Sequence, residues 1–190
     1  MIRILIADDH PAMLAGLTAV LRAEPGLAPI GAVSSGEEVE EAATRMRPDV
    51  VLLDYHLPGA DGLRACRRLK RDPGGPAVLL YSAYADASLA IPAILAGADG
   101  VLNKSTPAPE LYDALRRVAR GARLLPPVPR ELLHAVSARL DEEDLPILGM
   151  ALDGTAADEI AETLRLTDEQ LAARLDVMIE RLRVELPAPA

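Results

Sequence analysis

Five short apolar runs alternate with five amphipathic segments over the first 121 residues. The apolar runs predict buried strands at Ile2–Ala7, Ala28–Val33, Val50–Asp54, Ala77–Ser82 and Gly100–Asn103. The amphipathic segments predict helices at Pro11–Ala23, Gly36–Met46, Ala60–Arg71, Asp86–Ala96 and Pro107–Gly121. A β-α pattern repeated five times predicts an α/β fold, in which helices cover both faces of a doubly wound sheet of five parallel strands.

The alternation stops at Gly121. Residues 122–129, ARLLPPVP, are rich in proline, which cannot continue a helix, so we predict a linker there. Beyond it the pattern predicts helices only, at Pro129–Leu140, Glu142–Leu152, Ala156–Leu164 and Asp168–Val184. The chain therefore divides into an α/β domain over 1–121, the linker, and a small all-α bundle over 130–190. The last two helices are close enough in sequence for a helix-turn-helix.

Two local signals support these helix ends. Gly154 follows the second of the four helices, where a helix C-terminus favours glycine. Thr167 precedes the last helix and Gln170 follows three residues later, which is the spacing of a capping box.

Composition narrows the class of protein. The chain has no Phe or Trp, so its core must be aliphatic. Its longest apolar runs are far shorter than the roughly 20 residues needed to span a bilayer, and its first residues do not form a signal peptide. Cys66 is the only cysteine, which excludes an internal disulfide and a cysteine zinc cluster. We expect a soluble cytoplasmic protein with no membrane partner.

The net charge of −9 is unevenly distributed. Residues 1–139 carry 16 acidic and 16 basic side chains, whereas residues 140–190 carry 13 acidic and 4 basic side chains. The whole negative excess therefore lies in the last quarter of the chain.

Polar side chains stand at the ends of four predicted strands. Asp8 and Asp9 follow the first strand, Asp54 ends the third, Ser82 ends the fourth and Lys104 follows the fifth. In a parallel α/β sheet these positions converge at one edge. Clustered carboxylates suit Mg²⁺, and the lysine and hydroxyl can contact phosphoryl oxygens. The set predicts a nucleophilic carboxylate whose charge stabilisation is already in place.

Each of these residues has a simpler explanation when taken alone. A single Asp after a strand is usually a turn or cap residue, and a single Ser or Lys there is usually solvated. Only their joint occurrence favours a site, and a scaffold with an inactive pocket stays open. A phosphatase with an aspartyl nucleophile would place its two acids two residues apart on one strand, which the sequence around Asp54 does not do.

Four segments resemble the receiver domain of two-component response regulators: ILIADDH, VVLLDYHLPGADG, LLYSAYAD and GADGVLNKSTPAPEL. The resemblance covers about residues 1–120. It implies that Asp54 accepts a phosphoryl group from a histidine kinase, without a separate substrate and with catalysis only of the chain's own phosphorylation and dephosphorylation. It further implies an Mg²⁺ site formed by Asp8, Asp9, Asp54 and the backbone carbonyl of His56. The phosphoryl group would be contacted by Ser82 and Lys104.

Val101 departs from the receiver pattern. The family usually has Tyr or Phe three residues before the lysine, and that ring turns inward on activation. Valine cannot act as such a rotamer switch, so we predict phosphorylation with a weaker or different conformational response.

Residues 140–182 resemble the LuxR/NarL-type helix-turn-helix output domain in their apolar skeleton. The resemblance implies a transcriptional regulator that works as a homodimer or with a partner regulator. The helix expected to enter the major groove is acidic, and its candidate contact residues are Asp168, Glu169, Ala172, Ala173, Arg174 and Asp176. Because phosphate contacts by Lys and Arg drive DNA affinity, charge disfavours DNA as a partner. Weakened DNA binding and a protein-interaction role without DNA both stay open.

Two groups of basic residues are candidates for contact with the acidic domain. One, on the third predicted helix, consists of Arg64, Arg67, Arg68, Lys70 and Arg71. The other, on or just past the fifth, consists of Arg116, Arg117, Arg120 and Arg123. Each group could instead be a solvated face.

Overall fold

The computed structural model describes residues 1–71, 74–83 and 85–182. Its five parallel strands lie in the order β2-β1-β3-β4-β5. They are β1 (Ile2–Ala7), β2 (Leu27–Val33), β3 (Val50–Asp54), β4 (Ala77–Ser82) and β5 (Gly100–Asn103). The predicted doubly wound sheet is confirmed, and the one difference in strand bounds is that β2 begins one residue earlier.

Five helices connect or follow these strands. They are α1 (Pro11–Ala23), α2 (Gly36–Met46), α3 (Gly62–Leu69), α4 (Ala87–Ala96) and α5 (Ala108–Val118). Side chains cap three of their N-termini: Ser35 accepts from the Glu38 amide, Asp61 from Arg64 and Asp86 from Ser88. Because such a cap residue lies outside the helical backbone, α3 and α4 begin later than the periodicity predicted.

Alternate strand residues face opposite sides of the sheet. Leu5, Val51 and Leu80 pack into one apolar cluster together with α2, α3 and α4. Ile4, Leu52, Leu79 and their neighbours pack into a second cluster with α1 and α5. The carboxyl ends of the strands are consequently left free to carry polar groups at one edge.

Four further helices lie between residues 130 and 182. They are α6 (Arg130–Ser137), α7 (Leu145–Leu152), α8 (Ala157–Leu164) and α9 (Asp168–Leu182). The predicted second helix begins as a 3₁₀ turn over Glu142–Asp144. The capping box at α9 is confirmed, since the Thr167 amide donates to Gln170 Oε1 at 2.8 Å and the Gln170 amide to Thr167 Oγ1 at 3.1 Å. The predicted end at Val184 lies outside the described residues.

The later helices share a core with the sheet domain. Buried residues of α7, α8 and α9 belong to the same apolar cluster as α4. Seven of the ten residues of α4 are buried, because α4 lies between the sheet on one side and α7 and α9 on the other. Residues 122–129 contain no helix, and Leu124 forms a parallel bridge with Gly100 at the edge of the sheet.

None of the helices in the described part of the chain is both long enough and apolar enough to cross a membrane.

Candidate functional site

Three charged side chains meet at the carboxyl edge of the sheet. Lys104 Nζ lies 2.6 Å from Asp8 Oδ2 and 2.7 Å from Asp54 Oδ2. The two carboxylates are almost fully buried, and the lysine side chain is 14% exposed. The structure thus brings together residues at the carboxyl ends of β1, β3 and β5 that are up to 96 positions apart in sequence.

Asp9 and His10 extend this cluster towards solvent. His10 Nδ1 lies 2.6 Å from Asp9 Oδ1 and 3.3 Å from Asp8 Oδ1. One ligand atom from each of Asp8, Asp9, His10 and Asp54 can be chosen so that all four lie within 4.8 Å of one another. His10 was not among the residues predicted to bind the metal or the phosphoryl group. Its position directly after the Asp pair was the available signal.

Backbone hydrogen bonds hold the fourth and fifth strand ends together. Ser82 is fully buried, and its carbonyl accepts from the Lys104 amide at 2.9 Å. The Tyr81 hydroxyl donates to the carbonyl of Lys104 at 3.1 Å. Tyr81 was not predicted to belong to the site. Tyr81 directly precedes Ser82 in β4, and its hydroxyl helps to fix the backbone of Lys104.

The loop after β3 approaches the backbone of Asp54 closely. The Gly62 amide donates to the Tyr55 carbonyl at 2.8 Å, and a Cβ added at Gly62 would lie 2.2 Å from the Asp54 carbonyl oxygen. The His56 amide donates to Asp54 Oδ1 at 3.3 Å. This loop therefore holds one oxygen of the Asp54 carboxylate while Lys104 holds the other.

Burial and charge act in opposite directions on the pocket. Burial raises the pKa of Asp54 above its ordinary value, although the hydrogen bond and the charge of Lys104 oppose this effect. For Lys104, burial favours the neutral form, but the two carboxylates outweigh it and raise its pKa. Lys104 therefore stays protonated, and its charge compensates the buried carboxylates.

The donor set fits a hard divalent cation. Asp8, Asp9 and Asp54 present carboxylate oxygens, which are the ligands that Mg²⁺ prefers, and Asp9 is open enough to solvent for bound water to remain. A buried carboxylate next to a fixed ammonium group can also act as a nucleophile towards a phosphoryl group. The arrangement is chemically suited to a cation together with a phosphoryl group.

Val101 lies in β5 and is half-buried against the apolar cluster around α4. Its amide donates to the Leu124 carbonyl at 2.9 Å, while the Leu124 amide donates to the Asp99 carbonyl at 2.7 Å. The start of the predicted linker is consequently hydrogen-bonded to the strand that leads to Lys104.

Five of the six candidate contact residues of α9 face the α/β domain across a cleft of about 630 Å³. Lys70, Arg67 and Arg71 line one wall. The opposite wall includes Asp168, Glu169, Ala172, Ala173 and Asp176. Arg174 does not line this cleft. Its guanidinium instead pairs with Glu143 at 2.8 Å and Asp144 at 3.3 Å.

The two predicted groups of basic residues behave differently. Three residues of the first group, Arg64, Arg67 and Arg71, form ion pairs with α9. The other two pair within the α/β domain, Arg68 with Glu40 and Lys70 with Asp99. In the group at α5, Arg116 pairs with Glu24 of the segment after α1, and Arg117 pairs with Asp113 in its own helix. The first group therefore contacts the acidic helix α9, as one of the two alternatives predicted, whereas Arg116 and Arg117 pair within the α/β domain.

Residues 4–116 match the family model described as a response regulator receiver domain. The chain belongs to this family. It is also similar to the transcriptional regulatory protein LiaR of Bacillus subtilis strain 168, with 31% identity over 194 residues, 97% of this chain and 92% of LiaR.

Solved structures show the same fold. A LuxR-family two-component response regulator from Aurantimonas sp. SI85-9A1 has 27% identity and a TM-score of 0.63, covering 73% of this chain and 96% of that one. RcsB of Salmonella enterica serovar Typhimurium, bound to the promoter P1flhDC in the presence of phosphomimetic BeF₃⁻, has 21% identity and a TM-score of 0.61, covering 98% of this chain and 94% of RcsB. The RcsB likeness shows the fold alone.

The family assignment confirms the resemblance to NarL/LuxR-type regulators. The chain is a two-component response regulator with a transcriptional output domain. Receiver domains bind Mg²⁺ at an acidic pocket, and Asp8, Asp9 and Asp54 form such a cluster here.

Proposed function

We propose that Asp54 accepts a phosphoryl group from a histidine kinase and that Lys104 stabilises the charge of that group. The observation that carries this proposal is the buried Asp54 carboxylate, held at 2.7 Å by Lys104 Nζ next to Asp8. An oxygen of Asp54 forms the new O–P bond while the P–N bond to the kinase's histidine breaks. The bonding electron pair leaves with the imidazole nitrogen.

Other residues of the pocket bind and orient the phosphoryl group. Lys104 is already in place, so little reorganisation is needed when negative charge arrives. The Ser82 hydroxyl, at the adjacent strand end, donates to a second phosphoryl oxygen. Asp8, Asp9, Asp54 and the backbone carbonyl of His56 would hold Mg²⁺, which neutralises charge on the phosphoryl oxygens. The same pocket would support self-catalysed phosphorylation from a small donor, and dephosphorylation.

Phosphorylation is tested directly with acetyl phosphate and Mg²⁺, followed by intact mass measurement. We expect the wild-type chain to gain the mass of one phosphoryl group and the Asp54→Ala variant to gain none. Asp61→Ala is a matched control, because Asp61 also follows β3 but caps α3 and has no assigned role in transfer. If the wild-type chain gained no phosphoryl mass, an inactive pocket would be the better interpretation.

We further propose that the output domain regulates transcription with weakened DNA binding, as a homodimer or with a partner regulator. LiaR is a transcriptional regulatory protein by name, and RcsB was solved on a promoter. The negative excess beyond residue 139 and the pairing of Arg174 with Glu143 and Asp144 favour low affinity for a polyanion.

The second candidate is a phosphorylation-dependent protein-interaction module whose output domain does not bind DNA. It is favoured by the position of Asp168, Glu169 and Asp176 opposite the α/β domain. A mobility-shift assay at low salt, with beryllofluoride as phosphoryl mimic, separates the two candidates. Binding to duplex DNA that weakens steeply with salt would support weakened DNA binding, and its absence would support the protein-interaction module.

A further inference from the structure

Helix α9 is held against the α/β domain by an apolar stripe. Leu175, Met178, Ile179 and Leu182 have the spacing of one helical face, and all four are buried in the cluster that contains α4. Helices α4 and α9 lie in direct contact. The apolar stripe accounts for association but not for the orientation of the charged residues beside it.

Charged residues of α3 and α9 are matched along this contact. Arg64, Arg67 and Arg71 are spaced three and four residues apart, so they share one side of α3 and its C-terminal extension, which we name the basic face. Asp176 and Glu180 are four residues apart on α9, and we name them the acidic face. The basic face and the acidic face lie opposite each other.

Three ion pairs join the two faces. Arg64 lies 3.0 Å from Glu180, Arg71 lies 3.4 Å from Asp176, and Arg67 Nε lies 3.8 Å from Asp176. The outer pairs are those of Arg64 and Arg71, whose side chains are more than half exposed. Each of these pairs therefore contributes little free energy to the contact by itself. The central pair differs, because the Arg67 side chain is only 8% exposed.

Arg67 makes the contact selective for acidic partners. Burial lowers the pKa of its guanidinium, and Asp176 opposes that effect. Among the described residues, Arg67 Nε donates no hydrogen bond, so the charge of Asp176 is an important compensation for its burial. A helix with a neutral or basic residue at position 176 would bury Arg67 without that compensation. The basic face therefore favours an acidic helix, and the acidic face of α9 meets this requirement.

The basic face would lose this contact if α9 lay in a DNA groove. Asp176 belongs to the residues that would face a duplex, and so do Asp168 and Glu169, which line the same cleft. Arg174, the cation in this part of α9, is turned away to Glu143 and Asp144. The surface expected to contact DNA thus carries the charge that suits the α/β domain and opposes phosphate.

We propose that the acidic face of α9 is a docking surface for the basic face of α3, in place of a DNA-contacting surface. The resting chain then keeps α9 on the receiver domain through Arg67 and Asp176, with the two outer pairs setting the register. The inference rests on the second candidate function, an output domain that does not bind DNA, and deepens it by naming the surface that α9 contacts instead. It does not require phosphoryl transfer to Asp54.

The test uses the full unphosphorylated chain and reverses charge on the receiver side only. The variant Arg64→Glu/Arg71→Glu leaves α9 and the buried Arg67 unaltered. The matched control is Arg45→Glu/Arg117→Glu, which removes two exposed arginines, each paired within its own helix, and gives the same net charge. The rescue adds Glu180→Arg to the first variant, which gives position 64 an opposite charge again and leaves Asp176 beside the buried Arg67.

Hydrogen exchange of peptides covering α4, together with the radius of gyration from small-angle scattering, reports the contact. We expect α4 to exchange about tenfold faster and the radius to increase in the receiver-side variant, with no change in the control. The rescue variant should recover at least part of the protection. Unchanged exchange and radius in the receiver-side variant, or no recovery in the rescue variant, would show that charge does not position α9.

A DNA measurement on the same variants decides what the uncovered helix does. We expect the receiver-side variant to bind a panel of duplex promoter fragments at low salt no better than the control of equal charge. Tight, salt-sensitive binding that appears only when α9 is released would overturn the proposal, because the acidic face would then cover a functional DNA-contacting surface.

Discussion

The Val101 amide donates a 2.9 Å hydrogen bond to the carbonyl of Leu124, the residue that begins to lead the chain away from the sheet. Val101 also stands three residues before Lys104, where the receiver pattern predicted an aromatic ring. Its side chain has no ring to rotate, but its backbone joins β5 to the linker. Since β5 leads to Lys104, a response to phosphorylation would have to pass through this backbone contact or through packing.

We predict that beryllofluoride shifts the amide resonances around Asp54, Ser82 and Lys104 but produces small shifts in α9. Val101→Tyr restores a side chain that can change rotamer, so it should enlarge the shifts in α9. Val101→Ile is the matched control, because it adds volume without an aromatic ring. Large α9 shifts in the wild type would show that coupling does not need the ring.

Removal of Lys104 should affect both stability and phosphorylation. Lys104→Ala leaves Asp8 and Asp54 buried without their cation, which we expect to cost about 3 kcal/mol of unfolding free energy at neutral pH. The loss should grow as pH rises above 3.8, the ordinary pKa of Asp. Without Lys104, nothing from that side chain opposes the burial that raises the pKa of Asp54 in the folded state, so ionisation of Asp54 costs the folded variant more than the folded wild type.

Chemical denaturation with and without Mg²⁺ measures this effect. Because Mg²⁺ can replace the missing positive charge, it should stabilise Lys104→Ala more than the wild type. Phosphorylation by acetyl phosphate should slow about 100-fold. Lys70→Ala is the control, since Lys70 is also partly buried and pairs with Asp99 instead. Equal rates in Lys104→Ala and Lys70→Ala would remove Lys104 from the transfer step.

The close approach of α3 to β3 should make Gly62 intolerant of a side chain. A Cβ at Gly62 would lie 2.2 Å from the Asp54 carbonyl oxygen, so Gly62→Ala should cost about 1–3 kcal/mol of unfolding free energy and disturb the acceptor. Gly16→Ala is the matched control, because apart from its chain neighbours and the nearby backbone of helix α1 no atom lies within 4 Å of the added carbon. We expect it to stabilise the chain by about 0.5–1 kcal/mol, as measured by urea denaturation.

The thiol of Cys66 should be inert in the folded chain. Burial raises its pKa to about 12, so at pH 8 only about one thiol in 10⁴ is ionised, and the thiolate is the reactive form. An aromatic disulfide reagent should therefore label Cys66 only as fast as the chain unfolds. Labelling should become rapid once urea unfolds the protein, and rapid labelling of the native chain would contradict the burial.

Sequence periodicity was sufficient for most of the fold. Strand bounds such as Val50–Asp54 and Ala77–Ser82 agree with the structure, because strands buried on both faces form continuous apolar runs bounded by polar residues. The convergence of Asp8, Asp54 and Lys104 also followed, since right-handed crossovers bring the carboxyl ends of neighbouring parallel strands to one edge. The start of α3 was predicted two residues too early, at Ala60, because Asp61 caps the helix from outside the helical backbone.

Only the tertiary structure decided where α9 lies and which arginines face it. The charge asymmetry made two basic groups candidates for contact with the acidic domain, but the sequence did not distinguish between them. Packing of α4 against α9 brings Arg67 next to Asp176, which lies 109 positions later in the chain. Arg116 instead pairs with Glu24 on the opposite side of the sheet. By itself, the sequence determined the strands, the carboxylate pocket and the sign of each charge. The pairing of those charges depended on helix packing, because ion pairs between distant segments form only where apolar surfaces have already brought the segments together.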